Sequence, residues 1–233
     1  MRDNDAVRIL VISDIHGYID SVHALGQHLS DERYDILVVC GDLTHFGSIS
    51  ELREIISALR CEVRCELLII VLGNCDPREA LSSSMKGVSA HILHGDIIVW
   101  HDFAIGGVSG GIISPFMTPI EFSEDELMMA LNNIGEKWHN YANRILVTHV
   151  PPYKTKVDIA HSGIHIGSSS LRKFIIEESP MVCFCGHVHE ARGMDKLDNT
   201  LIINPGPLRK GYYADVIIRR REKRIKVSFK EVL

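Results

Sequence analysis

Met181-Val182-Cys183-Phe184-Cys185-Gly186-His187-Val188-His189 decides how the rest of the chain is read. An apolar run of strand length breaks at a glycine and is followed at once by two imidazoles two residues apart. Neutral histidine is the commonest metal ligand in proteins, and side chains just past a buried strand can turn toward one point above the sheet. A His-x-His pair alone has little specificity. Its weight comes from four other apolar runs that end in the same way.

Working outward, Val7 to Ser13 exits into Asp14-Ile15-His16-Gly17, and Ile36 to Cys40 exits into Gly41-Asp42. Leu67 to Leu72 leads into Gly73-Asn74-Cys75-Asp76, and Arg144 to Thr148 into His149-Val150-Pro151-Pro152. Between these runs stand helical patterns. Val22, Leu25 and Leu29 share one face, as do Leu52, Ile55, Ile56 and Leu59 after a capping box of Ser48 with Glu51. Ser123 with Glu126 opens another helix carrying Leu127, Leu131, Ile134 and Trp138 as core, and a further helix starts near Ser168. Near-continuous apolar strands alternating with helices give a buried, mostly parallel sheet and an α/β fold class.

Other stretches carry local expectations. Pro77 is placed to start a helix. Ile92-Leu93 and Ile97 to Trp100 predict a hairpin around His94-Gly95-Asp96, with a further strand from Phe103. Gly106-Gly107-Val108-Ser109-Gly110-Gly111 lacks the Lys-Ser/Thr ending of a phosphate loop and reads as a tight, mobile loop. Tyr153 to Gly167 is a long polar segment. The stretch after Thr200 reads as antiparallel, with Arg219 to Arg224 as a solvated basic hairpin tip.

The 233 residues, 45% hydrophobic and 24% charged, suit a single domain over residues 1–233. A net charge of −5 argues against binding nucleic acid through a basic face. The polar start, Met1 to Asp5, shows no secretory signal, and the apolar run Leu67 to Leu72 is too short to span a bilayer. The expected location is cytoplasmic, with no membrane partner. The six cysteines are then reduced, and the Cys61-x3-Cys65 pair has no second pair at zinc-site spacing.

Asp14, His16, Asp42, Asn74, His149, His187 and His189 would converge on one rim, because ligands collect at the carboxyl ends of parallel strands. Nitrogen and oxygen donors without thiolate suit Mn, Fe, Zn or Ni. Seven ligands exceed one open four-coordinate ion and match two ions sharing a carboxylate. Two divalent ions against two aspartates leave a net positive site, which favours a phosphate ester as substrate.

In this order, Asp14-x-His16, Gly41-Asp42, Gly73-Asn74-Cys75-Asp76, His149 and Gly186-His187-x-His189 resemble the calcineurin-like metallophosphoesterase superfamily, from residue 7 to about 207. The resemblance implies a four-layer fold of two facing mixed β-sheets flanked by helices. It implies two divalent transition-metal ions, manganese favoured: Asp14, His16 and His189 on one, Asn74, His149 and His187 on the other, Asp42 bridging. It also implies hydrolysis of a small phosphate ester, nucleotides included, by an activated hydroxide.

Cys75 departs from the pattern, since many relatives carry a histidine there that works with the following acid, here Asp76, to protonate the leaving group. A thiol is a poor substitute. The Cys-bearing branch resembles phosphodiesterases more than monoester phosphatases, so a phosphodiesterase is expected. His45 or His165 is the candidate for supplying a proton or a phosphate contact. The alternatives are a phosphomonoesterase and a non-catalytic protein-binding scaffold, as in the superfamily's retromer subunit. The complete ligand set favours catalysis over a scaffold, and a nuclease is disfavoured by chain length, acidity and the missing histidine. A dimer is compatible with the sequence.

Overall fold

The computed structural model describes residues 5–82, 85 and 87–232; Met1 to Asn4 of the polar start lie outside them. The first half runs β1 (Ala6–Ile12), α1 (Ile19–His28), β2 (Tyr34–Cys40), α2 (Ile49–Glu62), β3 (Cys65–Val71), β4 (His91–Ile92), β5 (Asp96–Trp100), β6 (Phe103–Val108), β7 (Gly111–Ile112) and β8 (Glu121–Phe122). It continues with α3 (Glu124–Trp138), β9 (Asn143–Thr148), α4 (Ser169–Glu178), β10 (Val182–Phe184), β11 (Gly193–Leu197), β12 (Thr200–Asn204), β13 (Tyr212–Arg219) and β14 (Arg224–Glu231).

Two six-stranded sheets form, in the orders β14-β13-β1-β2-β3-β4 and β11-β12-β10-β9-β6-β5. In the first, β1, β2, β3 and β4 are parallel and β13 lies antiparallel to β1; in the second, β6, β9, β10 and β12 are parallel. Strand periodicity sorts the side chains. Ile9, Val11, Ile36, Val38, Ile69 and Val71 meet Ile105, Ile145, Val147, Val182, Phe184 and Ile203 in a core between the sheets. The alternate residues Leu10, Ile12, Leu37, Val39, Leu68 and Ile70 belong to a second cluster with Leu25, Leu52, Ile55 and Leu59 of α1 and α2. Beneath the other sheet, Leu131, Ile134 and Trp138 of α3 pack with Leu171 and Phe174 of α4. These are the expected two facing sheets flanked by helices.

The caps hold in part. Ser123 and Glu126 bond reciprocally at the start of α3, while at α2 Ser48 accepts from the Glu51 N–H. Pro77 opens only a 3-10 turn, Arg78–Leu81.

Three expectations are corrected. The hairpin across His94-Gly95-Asp96 does not form, because β4 pairs with β3 in one sheet and β5 with β6 in the other. The Leu93 N–H donates to Ile70 and that of Gly95 to Gly107, so the chain crosses between sheets here. Nor is the glycine run a mobile loop. Gly106 and Gly107 lie in buried β6, where a Cβ would meet the Ile134 side chain 2.5 Å away or collide with Leu93. Glycine here serves close packing. Finally, β12 is antiparallel only to β11 and runs parallel to β10. The turn at Arg220 is a hairpin tip as expected, tied by an Arg220–Asp102 ion pair. All six cysteines are free. Among the described residues no helix is long and apolar enough to cross a membrane.

Candidate metal centre

The strands β1, β2 and β3 of one sheet and β9 and β10 of the other deliver all seven expected ligands to one place. His16 Nε2 stands 3.1 Å from His189 Nε2, and His189 Nε2 is 3.2 Å from Asp14 Oδ1. On the other side, His149 Nε2 is 2.9 Å from Asn74 Oδ1 and 3.1 Å from His187 Nδ1. Asp42 Oδ2 lies between the two sets, 3.6 Å from His16 Nε2 and 3.5 Å from His149 Nε2.

The backbone is bent to bring them there. Asp14, His16, Asp42 and His187 all have positive φ, between 51° and 68°. Such strain persists where the surroundings over-determine it. Those surroundings need glycine. Gly41 has φ +90, and a Cβ on Gly73 would collide with Asp42 itself.

The donors fit a metal ion by three observations. Donor atoms that share a first-row ion at about 2.1 Å stand roughly 3.0–3.4 Å apart, close to the contacts at 3.1, 3.2, 2.9 and 3.1 Å above. Asp14 Oδ1 is buried without a hydrogen-bond partner, a cost that a cation removes. And the 2.8 Å contact of His149 Nδ1 with the Cys40 carbonyl requires a donor there, which turns the Nε2 lone pair of a neutral ring into the cluster.

The charges agree. Burial lowers His16 and His187 to about 4, so both are neutral with lone pairs free at pH 7. Burial also pulls His149 down, but Asp42 outweighs it and holds His149 up at about 9. Asp42 is held down in return, against its own burial, by His149 and then His16. The side chains of Asp14, His16 and His189, and those of Asp14, Asp42 and His149, each form a group able to hold an ion.

Residues 7–191 match the calcineurin-like phosphoesterase family. The chain belongs to that family. The phosphoesterase is 37% identical over 216 residues to an uncharacterized protein of Methanocaldococcus jannaschii, covering 89% of this chain and 90% of that one. Among solved structures, the protein TT1561 of Thermus thermophilus aligns with a TM-score of 0.74 at 18% identity, over 98% of this chain and all of that one (100%). A dimetal phosphatase of Danio rerio gives 0.68 at 14% identity, over 97% and 96% of the two chains. At such identities the structural likeness is one of fold.

The remaining candidates of the phosphoesterase separate by position. Cys75 lies in the cluster: its N–H donates to Asp42 Oδ1 at 2.8 Å, and its Sγ accepts from the Asn74 amide at 3.4 Å. Burial, then the Asp42 carboxylate, pushes the thiol well above its ordinary range. Asp76, expected as the acid partner of that position, is bound into the two neighbouring loops. Its carboxylate accepts from the Leu43, Thr44 and Gly73 N–H groups and the Thr44 hydroxyl, clamping the loops after β2 and β3 together. Burial, then Asp42, pushes it up to about 6 despite those donors.

His45 stands exposed beside the cluster, its Nδ1 3.3 Å from His16 Nδ1 and grouped with Cys75. His165 is held by Asp158 at 2.7 Å and packs edge-on against Tyr153, within the loop 153–167. Buried Asp158 also accepts from the Lys154, Thr155 and Gly167 N–H groups. It organises that polar segment, which sequence patterning left blank. Sequence reading also missed Arg209, whose Nη2 lies 3.0 Å from His189 Nδ1. It follows no apolar run and so carried no signal.

Proposed function

We propose that this phosphoesterase is a dinuclear metal-dependent hydrolase of small phosphate esters, with phosphodiesters preferred. The observation that carries the reading is the single oxygen Asp42 Oδ2, placed about equally from His16 Nε2 and His149 Nε2, at 3.6 and 3.5 Å. One carboxylate oxygen between two donor sets is what a bridging ligand requires.

In this reading Asp14, His16 and His189 would hold one ion, Asn74, His149 and His187 the other, with Asp42 shared. Two divalent ions held there would supply a nucleophilic water and positive charge for the phosphoryl oxygens. The protein's own contribution is preorganisation. Cys40 fixes the ring of His149, Cys75 Sγ holds the Asn74 amide, and Asp76 fixes the loops from which Asp42 and Asn74 project. His45 sits where a substrate would enter, as a contact for the ester.

The preference for diesters rests on Cys75. A thiol aids departure of a poor alkoxide leaving group less than an imidazolium does. Diester leaving groups need less such help. The metals are Mn, Fe, Zn or Ni by donor type, with manganese favoured, and a cytoplasmic location fits the free cysteines.

The test is metal-stripped protein, reloaded with each metal and assayed on matched diester and monoester substrates. Diester turnover restored by one or more metals, and exceeding monoester turnover, is expected. Monoester rates well above diester rates overturn the preference, and inactivity under every metal overturns the hydrolase reading.

A further inference from the structure

Arg209 lies on the short turn Leu208–Lys210 that follows Pro207, and that turn is fastened to the metal-centre strand. The Leu208 N–H donates to the Ser13 carbonyl at 2.7 Å and the Arg209 N–H to the Asp14 carbonyl at 3.4 Å. The root of the side chain is therefore fixed beside Asp14, while the side chain itself is exposed. Its Nη2 lies 3.0 Å from His189 Nδ1, and its charge is felt at His16.

That contact sets a guanidinium directly beside the group of Asp14, His16 and His189, where His189 Nε2 faces Asp14 Oδ1 at 3.2 Å and His16 Nε2 at 3.1 Å. A guanidinium carries five N–H donors and no acceptor, so one contact to an imidazole leaves most of the fork for a further anionic partner.

We propose that Arg209 is a phosphate-contacting residue, its guanidinium held beside His189 where it reaches a phosphoryl oxygen of the substrate. This rests on the hydrolase reading above and adds to it a protein cation on the Asp14–His16–His189 side. Guanidinium binds phosphate through two parallel N–H donors, which a lysine in its place reproduces only as a point charge.

The experiment uses the full chain, manganese and inorganic phosphate as probe. Metal uptake and phosphate binding are measured by calorimetric titration of wild type, Arg209→Ala and Arg209→Lys. Unchanged metal uptake is expected in both variants. Phosphate affinity of the loaded Arg209→Ala protein falls roughly tenfold to a hundredfold, as for one charged hydrogen-bonding group, with Arg209→Lys between. Equal phosphate affinity in wild type and Arg209→Ala, both loaded and both active, overturns the role of Arg209 and leaves the hydrolase reading standing. Loss of metal uptake in Arg209→Ala also overturns it, in favour of a structural role at His189. A wild type that takes up no divalent ion overturns the hydrolase reading and Arg209's role with it.

Discussion

At Cys75 the site departs from a proton-donating pattern without losing its ligand geometry. The Cys75 N–H still fixes Asp42 Oδ1 and the thiol still orients Asn74. A histidine in that position adds an imidazole whose ordinary pKa is near 6.5. Cys75→His should therefore raise turnover of monoesters with poor leaving groups by about tenfold or more, since general acid catalysis contributes roughly 10²–10⁴-fold where it is well placed. Diester turnover should change much less. The ratio of the two rates, measured on one preparation, checks this, and an unchanged ratio contradicts the role given to the position. Cys75 was legible as an anomaly because the residues around it kept their pattern.

At the scale of elements, the loops after β2 and β3 are a unit held by Asp76. Asp76→Ala orphans three buried N–H groups, and should cost about 2–4 kcal/mol of stability by the penalty for unsatisfied buried donors. It should also weaken metal uptake, because Asp42 and Asn74 are carried on those loops. Denaturant unfolding of the metal-free protein separates the two effects. Sequence placed Asp76 beside Cys75 and assigned it proton chemistry. The four donors it accepts come from Leu43, Thr44 and Gly73, two of them some thirty positions away, and only the pairing of β2 with β3 brings them together. Strand ends were readable for the opposite reason: an apolar run followed at once by Asp, Asn or His is a local signal. The misread hairpin at residues 92–100 marks the limit. Short strands carry no label for which of two sheets they join, and there the open edge of β3 and the packing of Leu93 under Gly107 decide.

Across the molecule, the seven ligands depend on two sheets keeping their register, and one charged cluster secures an edge of the first. Arg8 on β1 pairs with Asp215 on β13, its Nη2 2.6 Å from Oδ2, while Lys230 on β14 reaches the same oxygen at 3.3 Å. Burial raises Asp215, but Arg8 and then Lys230 outweigh it and hold its carboxyl below the usual range. A depressed carboxylate stabilises the fold above its unfolded-state pKa, near 3.9, and that contribution disappears as pH falls through the lower folded value. Asp215→Asn should thus cost about 1–3 kcal/mol at pH 7, with the difference from wild type shrinking steadily below about pH 4. Thermal unfolding at several pH values checks it; a difference that grows on acidification contradicts it. The pair was not legible, since Arg8 and Asp215 lie 207 positions apart and read singly as surface charges.

The account stands on Asp42 serving two ions at once. Its most direct test is anomalous diffraction from crystals of the chain loaded with manganese or zinc. The account predicts two ions per chain, about 3.5–4 Å apart as in other two-metal sites, with Asp42 between them, Asp14, His16 and His189 on one and Asn74, His149 and His187 on the other. A single ion, or two ions that do not share Asp42, would contradict it.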